Sequence, residues 1–198
     1  MKVRYQHINF RAGNPYVELS PRQEQVLIGE LLGDGSVRTH ATPHAHCSVR
    51  WRQQHKEHVI LLARVFHNFN PRIGHYSNAW ELQLQSNPRW DRERERWYRS
   101  TGKHFPGDAW LNPLSCYHWY IGDGSLEHTS PRGLRVALAC HDFADESIER
   151  LLQILRSAGF GFTRSGPALR CARDARDFLK WIEPPHILEC YRYKWPDE

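Results

Sequence analysis

Apolar and polar positions fall into the same succession of patterns twice along the chain. Ser20-Pro21-Arg22-Gln23 leads into the apolar stretch Val26-Leu27-Ile28-Gly29-Glu30-Leu31-Leu32 and closes on Gly33-Asp34-Gly35-Ser36, while Asn112-Pro113 leads into Cys116-Tyr117-His118-Trp119-Tyr120-Ile121 and closes on Gly122-Asp123-Gly124-Ser125. Ser20 and Asn112 are good N-caps, Pro21 and Pro113 occupy the first helical position, and Ser20 with Gln23 makes a capping box. Both stretches are therefore predicted to be helices that end near a glycine-flanked aspartate.

The segments downstream of the two helices match as well. After Asp34 come a turn-rich stretch and the alternating Ser48-Val49-Arg50-Trp51-Arg52-Gln53, then a helical segment carrying Val59, Leu62, Ala63 and Phe66. After Asp123 come Leu134 to Cys140, then residues 145–158 with Ile148, Leu151, Leu152 and Leu155 at helical spacing, stopped by Gly159. Trp80 to Gln85 alternates cleanly, as does the shorter Ala168 to Cys171, and charged helical segments come next at 90–100 and 174–182. The pattern predicts an α+β fold, αββαββα twice. A leader arm spans 1–19, the first repeat 20–106, a linker 107–112 and the second repeat 113–198.

Composition narrows the class. The 198 residues are 40% hydrophobic and 25% charged, no apolar run approaches the roughly 18 residues of a membrane span, and no apolar region succeeds Met1. Neither a membrane span nor a secretion signal is expected. The five cysteines at 47, 116, 140, 171 and 190 are odd in number and lack a Cys-x-x-Cys, so neither a disulfide framework nor a zinc ribbon is expected. The net charge of +5 is unevenly spread: residues 1–100 carry 15 Lys+Arg against 9 Asp+Glu, residues 101–198 carry 12 against 13. Of the 27 basic residues 22 are arginine, whose planar fork suits phosphates and guanine edges, so a polyanionic partner is expected.

The two aspartates carry the candidate chemistry. An anion at a helix C-terminus sits where the dipole is already negative, and a cation there would relieve the conflict. Gly29 and Gly33, four apart, share a helix face that lets another backbone approach, with Gly122 small at the matching place. Two such helices side by side would bring Asp34 and Asp123 together with the carbonyls of Gly33 and Gly122, an all-oxygen site of the kind Mg²⁺ takes. Carboxylates around shared metals are the machinery of phosphodiester hydrolysis.

At this point the chain resembles the LAGLIDADG homing endonucleases in their single-chain, two-motif form. Leu27-Ile-Gly-Glu-Leu-Leu-Gly-Asp34-Gly35 matches the nine-residue signature closely, and Cys116-Tyr-His-Trp-Tyr-Ile-Gly-Asp123-Gly124 more loosely, with His118 where the signature has glycine. The resemblance implies a monomer with two saddle-shaped antiparallel sheets lying along duplex DNA and the motif helices packed between the lobes. It implies Asp34 and Asp123 holding Mg²⁺, with Mn²⁺ or Ca²⁺ as other occupants, and a double-strand break with 3′ overhangs in a long, pseudo-palindromic target at the insertion point of an intron or intein. It also implies a polar residue before the second helix of a repeat. Gln54 fits that place, Gln53 is the alternative register, and His141 is a weak candidate in the second repeat. Lys103 and Lys194, 69 and 71 residues after the two aspartates, are candidates for organising solvent or charge at the phosphate. The alternative within the same scaffold is an intron maturase gripping RNA, or a regulator that binds without cutting. The absence of a targeting segment fits a prokaryotic cytoplasm or an organelle that encodes the protein itself.

Strand alternation sorts the expected DNA contacts. Val49 and Trp51 point to the core, leaving Ser48, Arg50 and Arg52 outward with Arg38. Leu82 and Leu84 are core, leaving Glu81, Gln83 and Gln85 outward. Arg135 and Arg170 are their counterparts in the second repeat. His40, His44, His46 and Cys47 are read as a loop rather than a metal site, the run Asp91-Arg-Glu-Arg-Glu-Arg96 as a solvated helix face, and the tryptophans, among them Trp51, Trp80, Trp119 and Trp181, as core.

Overall fold

The capping residues behave as their chemistry demands. Gln23 returns its side-chain oxygen to the Ser20 amide at 2.9 Å while donating its own amide to Ser20 Oγ at 3.3 Å. Asn112 and Ser115 exchange the same pair of bonds at the second motif helix. A computed structural model describes residues 15–42, 45–130 and 133–196. Its elements are α1 (Pro21–Leu32), β1 (Ser36–Arg38), β2 (Ser48–Gln53), α2 (Lys56–Val65), β3 (Arg72–Tyr76), β4 (Ala79–Gln83), α3 (Pro88–Trp97), the short β5 (Tyr98–Arg99) and β6 (Gly102–Lys103), then α4 (Pro113–Asp123), β7 (Gly124–His128), β8 (Leu134–Ala139), α5 (Asp145–Ser157), β9 (Thr163–Ser165), β10 (Ala168–Cys171) and α6 (Ala175–Ile182). Two antiparallel sheets of four strands result, ordered β1-β2-β4-β3 and β7-β8-β10-β9. The α+β fold and its doubled element order are as the sequence predicts.

By compactness the described residues divide into one unit of 15–23 and 34–95 and another of 24–33 and 96–196, so most of α1 groups with the second repeat. In the first unit, Val49 and Trp51 of β2 and Leu82 of β4 are buried on one sheet face with Val59, Leu62 and Phe66, and Trp51 stacks on Phe66 at 5.5 Å. Truncating a buried tryptophan of this kind costs about 3–5 kcal/mol. The charged run of α3 is more than a solvated face. Arg89 and Glu93 form a buried pair at 2.7 Å, and Trp90 is fully buried against Phe69. Asp91 ties down the β1–β2 loop, accepting from the Cys47 amide at 2.7 Å and meeting His46 Nδ1 at 2.6 Å. Burial opposes its ionisation, but those two partners outweigh it and hold the carboxyl below the ordinary aspartate range. The neighbouring Cys47 thiol is pushed up to about 12, by burial first and Asp91 second, so it stays protonated and inert. His40 meets Ser86 Oγ at 3.2 Å, and His44 lies outside the described residues.

In the second unit, α1 lies on α4 through Gly29. A Cβ built there would stand 2.2 Å from the Ser115 carbonyl oxygen, so hydrogen alone fits. His118, the departure from the motif, is buried and meets Glu30 Oε1 at 2.7 Å. Val136 and Leu138 of β8 and Leu169 of β10 are buried with Phe178 and Leu179 of α6. The helix expected through residue 100 stops at Trp97, whose buried ring packs on Phe105 and Phe143; Gly102, at φ +120°, then turns the chain into β6. Trp51, Trp90, Trp97 and Trp119 are core, whereas Trp80 and Trp181 are half-buried and Trp110 is 53% exposed.

Candidate active site and nucleic-acid interface

Each motif helix hands its aspartate directly to a strand. Asp34 is exposed just before β1, and Asp123, partly exposed, ends α4 one residue before β7. In the first unit the residue that reaches Asp34 is Gln53, whose Nε2 donates to Oδ2 at 2.9 Å. Strand alternation explains why. Gln53 shares the inward face of Val49 and Trp51, while Gln54 lies in the bend beyond β2 and is exposed. The preferred assignment of Gln54 is thus corrected to Gln53. The signal available in the sequence was a polar residue at the next inward position of an otherwise apolar face. Gln53→Ala should lower the activity of the site by about 10–100-fold, the scale for losing a group that orients a ligand. Gln54→Ala should change it less than about twofold on the same scale, and a reversed order in single-turnover rates would reject the assignment.

The matching position of the second unit carries a thiol instead. Ser36 pairs with Arg50 across β1–β2, and Ser125 pairs with Ala137 across β7–β8, so the two repeats align and Gln53 corresponds to Cys140. Cys140 is buried and bonds the Pro167 carbonyl at 3.4 Å. His141 falls at the place of Gln54, exposed and 3.4 Å from Asp142.

A cation does sit at the end of α4, and it belongs to the protein. Lys194 is buried and donates from Nζ to the carbonyls of Tyr120 at 3.1 Å, Ile121 at 2.8 Å and Gly124 at 2.7 Å. Tyr120 returns its hydroxyl to the Lys194 carbonyl at 2.5 Å. The ammonium therefore offsets the negative helix end on which Asp123 stands. Lys103 is half-buried, with its ammonium 5.0 Å from the Phe143 ring centroid. Gly33 and Gly122 meet as expected: a Cβ on Gly33 would lie 3.5 Å from both Gly122 Cα and the Asp123 amide nitrogen.

The register assembles the outward face of the first sheet. Ser36, Arg50, Gln83 and Arg72 form one row, and Arg52, Glu81 and Gly74 the next. Arg38 and Arg52 are exposed and Arg50 and Gln83 half-buried, as a contact face requires. Ser48 corrects the expectation: it lies on the outward face but is only 1% exposed, covered by Gln83. Glu81 is also buried, between Arg50 at 3.6 Å and Arg52 at 3.7 Å. Gln85 lies beyond β4 and accepts from Asn70 at 2.6 Å. In the second sheet Arg135 and Arg170 share the outward face with Ala137, Ala139 and Ala168, and both arginines turn to Glu127. Where the first sheet presents Arg50 and Arg52, the second presents Ala137 and Ala139.

Comparison with known proteins places this arrangement. The solved structure of the homing endonuclease I-WcaI bound to its DNA recognition sequence superposes with a TM-score of 0.76, covering 90% of this chain and 88% of that one at 18% identity. I-DmoI in complex with DNA and Mn gives 0.52, covering 82% and 97% at 16% identity. Among curated sequences, the uncharacterized protein MJ1098 of Methanocaldococcus jannaschii is 37% identical over 70 residues, which are 35% of this chain and 27% of that protein's length. A sequence model of the LAGLIDADG DNA endonuclease family matches residues 24–164, which span both aspartates and the whole of the first sheet. With two motif helices on one polypeptide, the chain belongs to the LAGLIDADG DNA endonuclease family, in its single-chain form.

Proposed function

We propose that this chain is a site-specific homing endonuclease that makes a double-strand break in a long, pseudo-palindromic DNA target, acting as a monomer and leaving 3′ overhangs. The observation that carries the reading is the duplicated arrangement of an aspartate at the end of a motif helix, joined at once to a sheet whose outward face carries arginines. Asp34 and Asp123 are accessible oxygen donors suited to Mg²⁺ or Mn²⁺, so the residues present fit a divalent ion. I-DmoI was solved in complex with DNA and Mn, and a variant of it with its target DNA in the presence of Mg. Such an ion, when bound, lowers the pKa of water and stabilises the leaving oxygen of the phosphodiester.

The protein's own groups prepare that chemistry. Gln53 orients the Asp34 carboxylate, and Lys194 offsets the dipole beneath Asp123 so that its carboxylate stays available. Lys103 is the further basic residue assigned to the phosphate, and the carbonyls of Gly33 and Gly122 complete the oxygen set. Arg38, Arg50, Arg52 and Gln83 read base edges through the outward face of the first sheet, with Arg135 and Arg170 on the second. The host element is an intron or intein, in a prokaryotic cytoplasm or an organelle.

The test is digestion of a randomised duplex library with and without Mg²⁺, sequencing the cut ends. A long consensus with 3′ overhangs that requires the metal is expected. Enrichment of bound but uncut duplexes would replace the reading with a non-cleaving binder, and selective binding of folded intron RNA would replace it with a maturase.

A further inference from the structure

We propose that Glu81 and Glu127 are specificity-determining residues, each a carboxylate that holds two arginines of the DNA-contacting face away from the phosphate backbone. The inference deepens the endonuclease reading and rests on it. Glu81 points one oxygen at Arg50 Nε, 3.6 Å away, and the other at an Arg52 terminal nitrogen, 3.7 Å away, with its own side chain only 8% exposed. Glu127 divides itself in the same way, with Oε2 at 2.6 Å from Arg135 Nε and Oε1 at 3.7 Å from Arg170 Nε, while Arg170 Nη1 also donates to the Ser165 carbonyl. One carboxylate thus serves two arginines on each sheet.

The duplication of the fold does not explain this likeness. Aligned through the pairs Ser36 with Arg50 and Ser125 with Ala137, the place of Glu81 is taken by Ala168 in the second sheet. The place of Glu127 is taken by Arg38 in the first. The same arrangement therefore stands at two non-equivalent positions.

A negative charge in the middle of a polyanion-binding face costs affinity for any duplex, because it adds repulsion to every phosphate within a Debye length of roughly 8 Å. What it returns is orientation. A free arginine reaches the nearest phosphate whatever the sequence, which is the origin of non-specific binding. An arginine drawn toward a carboxylate at the sheet surface keeps its fork over the groove, where guanine O6 and N7 are the acceptors that reward it. The contacts at 3.6 and 3.7 Å are ion pairs rather than hydrogen bonds, and the Nε–H groups of Arg50 and Arg170 are buried without a hydrogen-bond acceptor among the described residues. Neither arginine therefore breaks a hydrogen bond to its carboxylate when its terminal nitrogens meet a base edge. The carboxylates accordingly weaken sequence-independent binding more than target binding, and so widen the ratio between the two.

The experiment compares the wild-type chain with Glu81→Gln, Glu127→Gln and the double variant in equilibrium binding without divalent metal. The probes are the target duplex selected by the library digestion and a scrambled duplex of equal length and composition, over a range of salt. Each single variant is expected to bind the scrambled duplex about tenfold more tightly and the target within about threefold of wild type, so that discrimination falls. The slope of log affinity against log salt on scrambled DNA should steepen by about 1–2, as one or two arginines are released to phosphates. Because glutamine is isosteric and the arginines are solvent-accessible, melting temperatures should not change. An unchanged ratio of target to scrambled binding would overturn the proposal, as would an equal loss on both duplexes, which would mark a purely structural role. Loss of a cytosine preference with scrambled binding unaltered would also overturn it, by making the glutamates direct base contacts. A wild-type chain that does not discriminate at all would overturn this proposal and the endonuclease reading together, whereas a discriminating wild type with unresponsive variants would overturn this proposal alone.

Discussion

Asp34→Asn and Asp123→Asn should each abolish double-strand cleavage, by about a thousandfold or more, the scale of losing a group that stabilises charge at the reacting centre. Folding and DNA affinity should survive. The asparagine of the first variant would keep an oxygen to accept from Gln53, and the Lys194 bonds near position 123 go to backbone carbonyls that the second substitution does not touch. The measurement is cleavage of the selected target in Mg²⁺ with supercoiled, nicked and linear products resolved, alongside binding of the same duplex and a thermal melt. Full double-strand cutting by either variant would remove that aspartate from the reaction. A variant that melts early would instead show that the carboxylate had been holding the fold.

Gly29→Ala should be the most damaging of the conservative changes in α1. The added Cβ would stand 2.2 Å from the Ser115 carbonyl oxygen and 2.6 Å from His118 Cβ. The first of these is backbone inside a helix and cannot swing aside, so α1 and α4 must separate. Alanine is the better helix former by about 1 kcal/mol, but over-packing a core costs about 1–3 kcal/mol even where side chains can yield. A net loss of about 2 kcal/mol, the upper end of that cost less the helix gain, would lower the melting temperature by about 4–8 °C in a chain of this size. Separation would also part the buried Glu30 and His118, which meet at 2.7 Å. Gly33→Ala is the control. Its Cβ meets the Asp123 amide and Gly122 Cα at 3.5 Å, ordinary contact, and stability should change by less than about 1 kcal/mol. Equal melting temperatures for the two variants would show that close helix approach is not what the glycine at 29 provides.

The parts of the fold that were legible before the structure are those governed by local rules. Both motif helices could be placed because their capping residues and prolines act within one turn, and β2, β8 and β10 because period-two alternation is local. The core of the site was legible for the same reason, since a doubled Gly-Asp-Gly-Ser after a capped helix needs no tertiary knowledge. The features that could not be read depend on partners far along the chain. Whether Gln53 or Gln54 reaches Asp34 is decided by which face of β2 turns inward, one residue past the point where the apolar pattern stops. Lys194 had the right spacing to be noticed, but its placement under the α4 carbonyls depends on a terminal segment with no clear periodicity of its own. Ser48 and Glu81 lie on the face that alternation predicts. Their burial comes from neighbouring side chains, Gln83 over one and two arginines around the other, which alternation alone does not supply.

The close fit of Gly29 against Ser115 also bears on how the protein is made. A ribosome releases α1 long before α4, whose His118 stands 88 residues after its partner Glu30. Until then Gly29 lacks the Ser115 backbone it packs on, and Glu30 lacks the imidazole it meets. The end of α4 is completed later still, when Lys194 arrives beneath it. A truncated product could contain both aspartates and the first sheet in full, yet lack the ammonium on which the second helix end rests. This order of assembly ties completion of the α4 helix end, and of the surroundings of Asp123, to synthesis of both repeats.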